Sequence, residues 1–253
     1  LAELGSITIA DDADGSEHEA IIEHLTGNAT ASLALTSADV NAGAPSPMRN
    51  VTTSDIQDGI EKVSEVVIAL LDDAGVDTSD NATASRATNG ATRAIVRRLG
   101  AGGARVRKDE LPDVIDRVAT GAVRGIAENG STGDAATAQD NVNSQIRNIT
   151  RAATAALNES DVEGIDEDTV ATAVNRVAAA ASRSTRELRD NVRTSSGNTI
   201  EIDVTQSVRE VAAGATEALE DMASQTSGVV RDTGRVVRAA ASGAAESAAE
   251  IAT

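Results

Sequence analysis

The 253-residue chain carries 40 Asp and Glu residues against 22 Lys and Arg, which gives a formal net charge of −18. It contains no Phe, Tyr, Trp or Cys, and 40% of its residues are hydrophobic, mostly Ala and Val. This composition excludes disulfide bonds, thiol chemistry and a core of aromatic side chains. Burial therefore depends on aliphatic groups worth roughly 0.8 kcal/mol per CH₂, and we expect thin, Ala-lined helix packing that gains from burial against neighbouring copies.

The first fifty residues differ in pattern from the rest of the chain. LAELGSITIA (1–10) and ASLALTS (31–37) alternate apolar and polar residues, which predicts short strands and a small β element near the N-terminus. SEHEAIIEHL (16–25) predicts a short helix, and two of the three prolines fall in 41–50, which indicates a linker. We therefore predict an N-terminal segment, 1–50, and a helical domain, 51–253.

Apolar residues at three- and four-residue spacing predict helices over most of the remaining chain. Ser54 with Gln57 forms a capping box that starts the first helix, and Pro112 suits the first turn of the third. One stretch between the predicted helices differs: TIEIDV (199–204) alternates apolar and polar residues, which predicts a strand. The predicted helices cover 54–75, 83–99, a stretch beginning at Leu111 and Pro112, 134–157, 166–193, 205–225 and 228–252.

The apolar stripes of these helices are narrow and rich in Ala and Val, as in bundles and coiled coils. We predict a mainly α fold, an elongated bundle of about six to seven amphipathic helices. A plain monomeric bundle stays open as an alternative, and no fixed repeat period is evident. The stripes are Ile56, Ile60, Val63, Val67, Leu70 and Leu71; Leu111, Ile115, Val118, Ala122 and Ile126; Ala135, Ala138, Val142, Ile146, Ile149, Ala153 and Ala156; and Val170, Val174, Val177, Ala181, Leu188 and Val192.

One stretch of this acidic chain is purely basic. Residues 85–108 hold seven Arg and Lys and no carboxylate, whereas residues 1–80 hold 16 Asp and Glu against Arg49 and Lys62. The glycine segment GAGGAR within the stretch lacks the residues of a P-loop, and the chain has no aromatic side chains for base stacking. We predict a subunit docking surface that pairs with the acidic region of the same or the next copy, and no nucleic-acid partner. Its residues are Arg86, Arg93, Arg97, Arg98, Arg105 and Arg107.

Six Asn residues occur in the N-glycosylation pattern, about twice the number expected by chance at this Ser and Thr content. Five lie where loops or helix ends are predicted, while Asn148 falls inside a predicted helix and must face outward to carry a glycan. The pattern predicts export to the cell surface or the extracellular space. The candidate sites are Asn28, Asn50, Asn81, Asn129, Asn148 and Asn158.

Catalytic chemistry finds little support in the sequence. His18 and His24 are six residues apart on a predicted helix and point to different faces. The stretch DDADGSE resembles part of a Ca²⁺-binding loop but has Glu17 where Gly is required, so only loose cation binding stays open. Carboxylate pairs are many, but none is set apart by its surroundings. We predict no enzyme activity, no cofactor and no metal centre.

The chain has no apolar run long enough to span a membrane, and no signal peptide precedes Leu1, which indicates a removed leader or an excised part of a longer chain. Its 20 Arg and two Lys, at an acidic pI, are similar in composition to proteins of extremely halophilic archaea. These features favour a self-assembling structural subunit of an extracellular or cell-surface filament, sheath or coat. An intracellular or virion-associated helical scaffold is the alternative, and an enzyme with a pocket around the two histidines is a third class.

Overall fold

A computed structural model describes residues 53–69, 108–128, 136–157, 165–194, 197–223 and 230–251, together with the single residues Gly27, Gly90 and Thr92. The described part is mainly helical, as predicted. The predicted N-terminal strands, the linker at 41–50 and most of the predicted helix at 83–99 lie outside it. Within it, the elements are α1 (Thr53–Ala69), a 3₁₀ turn (Lys108–Glu110), α2 (Leu111–Glu128), α3 (Ala138–Ala156), α4 (Glu167–Leu188), β1 (Val192–Arg193), β2 (Thr199–Ile200), α5 (Val204–Ala223) and α6 (Thr233–Ile251).

The helices begin where the sequence supplies capping groups. Pro112 lies in the first turn of α2, where a missing N–H costs nothing. The side chain of Asp166 accepts a hydrogen bond from the backbone N–H of Thr169 at 2.8 Å and caps α4. This bond and the one from the Thr169 hydroxyl lower the pKa of Asp166 below its usual range. The predicted capping box differs in detail, because α1 begins at Thr53 and Ser54 lies inside its first turn.

The predicted strand at 199–204 is shorter than its alternation suggests. Only Thr199 and Ile200 pair, antiparallel to β1, with Ile200 opposite Val192 and Gly197 at φ 79° in the connection. Beyond Ile200 the chain turns into α5, where the carboxylate of Asp203 accepts the backbone N–H of Gln206 at 3.1 Å. This cap fixes the start of a helix where alternation alone predicts a strand.

The six helices pack in two rows. In the first row α1 packs on α2, α2 on α4 and α4 on α6, while in the second row α3 packs on α5. From α2 onward, successive helices alternate between the rows, so each helix packs most closely on the helix two along. This is the arrangement of helical repeat proteins, in which each layer contacts mainly its neighbours.

The described core between the rows consists of aliphatic side chains from Ala to Ile and Leu, together with Met222. The stripes predicted for α2, α3 and α4 are confirmed as buried, except for Ala135, which lies outside the described residues. Val192 is buried too, although it belongs to β1 rather than to the helix. In the stripe of α1, Ile60 is fully buried and Val63 is half-buried. Fully buried Ala residues recur on α3 and α4, where short side chains let the helices approach closely.

Candidate docking surface

A ten-residue segment recurs in register in all six described helices. We call it the contact segment, and number its positions 1 to 10; position 1 is Ile or Val, position 4 is Val, Ile or Ala, and position 7 is small except in α1. The starts at 115, 146, 174, 208 and 237 are unevenly spaced, so no fixed period marks the repeat. The segments are IEKVSEVVIA (60–69), IDRVATGAVR (115–124), IRNITRAATA (146–155), VNRVAAAASR (174–183), VREVAAGATE (208–217) and VRAAASGAAE (237–246).

Position 7 brings backbone against backbone within a row. A Cβ added to Gly121 would overlap the carbonyl oxygen of Glu61, at position 2 of α1. Gly214 meets the carbonyl oxygen of Arg147 in the same way, and Gly243 meets that of Asn175. Because only glycine lacks a Cβ, these three positions require it for the observed close approach. Position 7 of one helix therefore contacts position 2 of the preceding helix in its row.

The same position 2 carries a side chain that bonds across the contact. Between α1 and α2, Glu61 accepts hydrogen bonds from Arg117 at 2.6 Å and from Arg124, which stand at positions 3 and 10. The bond to Glu61 raises the pKa of Arg117 above its usual range. Arg124 also donates to Glu187 at 2.5 Å, and this bond raises the pKa of Arg124. One carboxylate thus holds two arginines across the glycine contact, an arrangement we call the polar clamp.

The second row repeats the polar clamp with the charges exchanged. Arg147, at position 2 of α3, donates to Glu217 at 3.1 Å and lies 3.5 Å from Glu210. These two carboxylates are positions 10 and 3 of α5. Arg147 lowers the pKa of Glu217 below its usual range by hydrogen bonding, and the pKa of Arg147 is raised in turn. Arg151 adds a further ion pair to Asp221 at 2.5 Å.

The other two contacts in the first row follow the same register. Asp116, at position 2 of α2, accepts from Arg183 at position 10 of α4, at 2.7 Å. At the contact between α4 and α6, the position 2 side chain is neutral, and the Asn175 amide donates to the carbonyl oxygen of Ala239 at 3.0 Å. Position 2 therefore marks the face of each helix that receives the next helix in the row.

The last described helix of each row carries an arginine at this position, and no described helix packs in front of it. Arg209 is position 2 of α5 and Arg238 is position 2 of α6. Both are exposed, and neither forms an ion pair with a described residue. The described end of the stack therefore presents two basic groups where the interior contacts hold polar clamps.

The apolar part of the same face is also uncovered at the end of the first row. Val237, at position 1 of α6, is 36% exposed, whereas its equivalent Val174 on α4 is 0% exposed. Ala241, at position 5, is exposed, whereas Ala178 on α4 is fully buried. On α5 the corresponding residues are half-buried. The outer face of α6 is thus an uncovered version of a surface that is buried on α4.

The arginines predicted to form the docking surface lie outside the described residues. Two described residues bear on them, because Gly90 and Thr92 are both helical and buried. In the sequence, ASRATNGATR (84–93) aligns with the contact segment when Gly90 is placed at position 7, with Ala84 in place of the Ile or Val of position 1. Arg86 and Arg93 then stand at positions 3 and 10, the positions of Arg117 and Arg124 in α2. No such correspondence applies to Arg97, Arg98, Arg105 and Arg107.

The predicted sites for glycans, cations and catalysis fall mostly outside the described residues as well. Asn148 is the one sequon described, and it is half-buried at position 3 of α3, with a polar interaction of its own. The other five sequons, His18, His24 and DDADGSE are outside. Among the described residues, no group of three His, Asp or Glu side chains could hold a metal ion. No described helix combines the length and apolar character needed to cross a membrane.

Comparison with protein-family models, with curated proteins and with solved structures finds no match for this chain. The apolar stripes of single helices do not reveal the glycines that organise the row contacts. Gly121, Gly214 and Gly243 sit within apolar stripes and look like mere interruptions of them. The three glycines share one sequence signal, a small residue six positions after an Ile or Val. This signal becomes visible only when the helices are aligned on that Ile or Val.

Proposed function

We propose that this chain is a structural, self-assembling subunit of an extracellular or cell-surface filament, sheath or coat of a halophilic archaeon. The observation that carries the proposal is the end layer of the described stack, where α5 and α6 present the receiving face of a repeated contact and no described helix covers it. Stacks of this kind are built from contacts between neighbouring layers, so further layers can be added without altering those already present. A contact that repeats without closing produces a fibre.

The bundle is elongated in this proposal, with the two rows running along its length. Its helices pack through glycine, alanine and valine, and the polar clamps supply direction and register rather than much free energy. Exposed ion pairs typically contribute less than about 1 kcal/mol each, but like charges brought together by a wrong pairing are repelled. A subunit that must join copies in one fixed orientation benefits from such contacts.

The basic residues at 85–108 extend the same system. If ASRATNGATR acts as a contact segment, Arg86 and Arg93 bind a carboxylate at position 2 of a preceding helix. The sequence IEHLTGNATA (22–31) aligns with IEKVSEVVIA of α1 and supplies Glu23 at that position. We propose that Glu23 of the same chain is the partner of Arg86 and Arg93, and that the remaining four arginines extend the basic surface.

High salt suits this charge distribution. At 1 M salt the Debye length is about 3 Å, so the self-repulsion of a chain at −18 is screened while charges in direct contact still interact. Export is part of the proposal, with N-linked glycans expected at sequons that face solvent. Asn148, the one described sequon, suits a glycan poorly because it is half-buried on α3.

Sedimentation velocity and electron microscopy of the full chain in multimolar salt test the proposal. We expect assemblies that grow with protein concentration and share one repeat. A folded, stable monomer at all concentrations contradicts self-assembly. Mass spectrometry of the native protein tests its location separately, because glycans on the sequons support export, whereas six bare sequons support the intracellular or virion-associated scaffold.

A further inference from the structure

We infer that the outer face of α6 is a docking surface for the acidic segment at residues 10–19 of a second copy of this chain. The inference rests on the proposed function and identifies one joint of the assembly. It combines three observations: an uncovered face, an arginine at the receiving position, and one acidic segment whose charges fit that arginine in register.

The uncovered face continues an established contact. The contact between α4 and α6 buries Val174 and Ala178 completely, and Ile115 and Ala119 are equally buried at the same positions of α2. On α6 the equivalent residue Val237 is 36% exposed. Since the interior helices bury these positions under a neighbouring layer, α6 has the shape and apolar character to receive one more helix.

Arg238 determines what that helix must carry. Wherever position 2 is charged, the next helix in the row presents opposite charge, as with Arg147 and the carboxylates Glu210 and Glu217. A helix that docks on α6 in register must therefore bring carboxylates at positions 3 and 10 and a small residue at position 7. Arg209 on α5 adds a second positive charge at the same end of the stack.

The first described helix of a second copy does not meet this requirement. In α1, position 3 is Lys62, whose side chain is 63% exposed, and position 10 is Ala69. Stacking α1 of one copy directly on α6 of another would place Lys62 against Arg238. Like charges at close range are repelled, so this face selects against direct stacking of the two rows.

One segment of residues 1–50 fits. Carboxylates seven residues apart occur there once, at Asp12 and Glu19. In the segment ADDADGSEHE (10–19) these are positions 3 and 10, while positions 1, 4 and 7 are Ala10, Ala13 and Ser16. The small residues suit the close approach of the row contacts. If this segment docks as a helix, the seven-residue spacing of its two carboxylates equals that of Glu210 and Glu217 in α5 and spans two helical turns.

The test is a charge exchange between two full-length variants, measured by sedimentation equilibrium at one fixed salt concentration. We expect Arg238→Glu and the double variant Asp12→Lys, Glu19→Lys each to weaken self-association by about tenfold or more. Mixing the two variants should restore association, because each supplies the partner that the other lacks. Arg186→Glu is the matched control, since Arg186 is an exposed arginine on α4 away from this face, and it should associate like the wild type.

The experiment distinguishes failure of this inference from failure of the proposed function. If the wild type associates but Arg238→Glu associates equally well, or the mixture does not recover, the inference is wrong and the proposed function stands. If the wild type is a monomer, the proposed function is wrong, and a synthetic peptide of residues 8–22 is titrated onto the full chain instead. Binding of the peptide that Arg238→Glu abolishes and Arg186→Glu preserves then supports the docking surface, and no binding overturns it.

Discussion

The contacts α1–α2 and α3–α5 have the same backbone geometry and opposite charges. In both, a glycine at position 7 lies against the carbonyl oxygen of position 2 in the preceding helix. In the first contact position 2 is Glu61 with two arginines around it, and in the second it is Arg147 with two glutamates. Glycine therefore sets how closely the helices pack, whereas charge sets which helix can pack on which.

Because the two clamps carry opposite charges, a helix of one row is repelled by the receiving face of the other row. If α5 were to pack on α1, Glu210 and Glu217 would meet Glu61, and if α2 were to pack on α3, its two arginines would meet Arg147. Helices this similar in sequence need such a distinction, since apolar stripes of Ala and Val discriminate poorly between partners. Specificity by repulsion against wrong partners is a general device of helix pairing.

The largest expected loss of stability comes from breaking the polar clamp between α1 and α2. The side chain of Glu61 is 11% exposed and that of Arg147 is 42% exposed. Glu61→Arg places a third arginine at this buried position against Arg117 and Arg124, and should cost about 3 kcal/mol of unfolding free energy. The exchange Arg147→Glu at the more exposed contact should cost about 1 kcal/mol. Urea denaturation of both variants checks the difference; equal losses contradict it.

The next prediction concerns the glycines, where the two contacts should behave alike. Gly121→Ala and Gly214→Ala each force backbone segments apart and should cost about 2 kcal/mol. Gly234→Ala is the control, because its added Cβ would lie 3.2 Å from a flexible Asp232 carboxylate rather than against backbone. The control should stay within about 0.5 kcal/mol of the wild type. A loss at only one of the two contacts would show that their geometry is not shared.

A smaller effect is expected from the basic stretch. If Arg86 and Arg93 form a polar clamp like that of Arg117 and Arg124, reversing both to Glu should cost about 1 kcal/mol of stability. The pair Arg97→Glu and Arg98→Glu makes the same change in net charge outside positions 3 and 10. Thermal unfolding of the two double variants should therefore differ, and identical curves would count against the register assigned to Gly90.

The smallest effect is the part of the pH dependence that the α3–α5 contact contributes. Arg147 lowers the pKa of Glu217, so the folded state holds this carboxylate ionised at pH values where the unfolded state begins to protonate it. The resulting stabilisation is present above the ordinary Glu pKa of about 4.3 and is lost as pH falls through the lowered value. Denaturation between pH 3 and 6 should show a shallower slope for Arg147→Met than for the wild type. Equal slopes for the two proteins would show that the pair of Arg147 and Glu217 does not contribute to the pH dependence of stability.

Much of the helical framework follows from the sequence, because apolar spacing and capping residues are local. The stripe from Leu111 to Ile126 predicts α2 and its buried face correctly. The sequence does not predict which helices pack together in a row. That pairing depends on which glycine meets which backbone carbonyl group, and the contact segments are unevenly spaced along the chain. The strand predicted at 199–204 fails beyond Ile200, since alternation cannot reveal that the carboxylate of Asp203 caps a helix.

The sequence predicts that a basic docking surface exists, but it does not indicate that Arg209 and Arg238 belong to one. A purely basic stretch in an acidic chain indicates pairing with acidic residues, and that hypothesis remains a prediction for all six of its arginines. Arg209 and Arg238 carry no such signal, because each is a single exposed arginine among ordinary neighbours. They become notable only once position 2 is recognised as the face that receives the next helix.

The glycine contacts also imply an uneven tolerance to new side chains along the chain. The helices α2 and α4 each have a described row neighbour on both sides, so a bulkier residue in either contact face must displace a packed helix. On α6 the receiving face opens to solvent, and a larger residue at Ala241 displaces nothing in the isolated subunit. Random variation should therefore accumulate bulky and aromatic residues at the ends of the stack first, and their absence from an end would mark that end as covered in the native assembly.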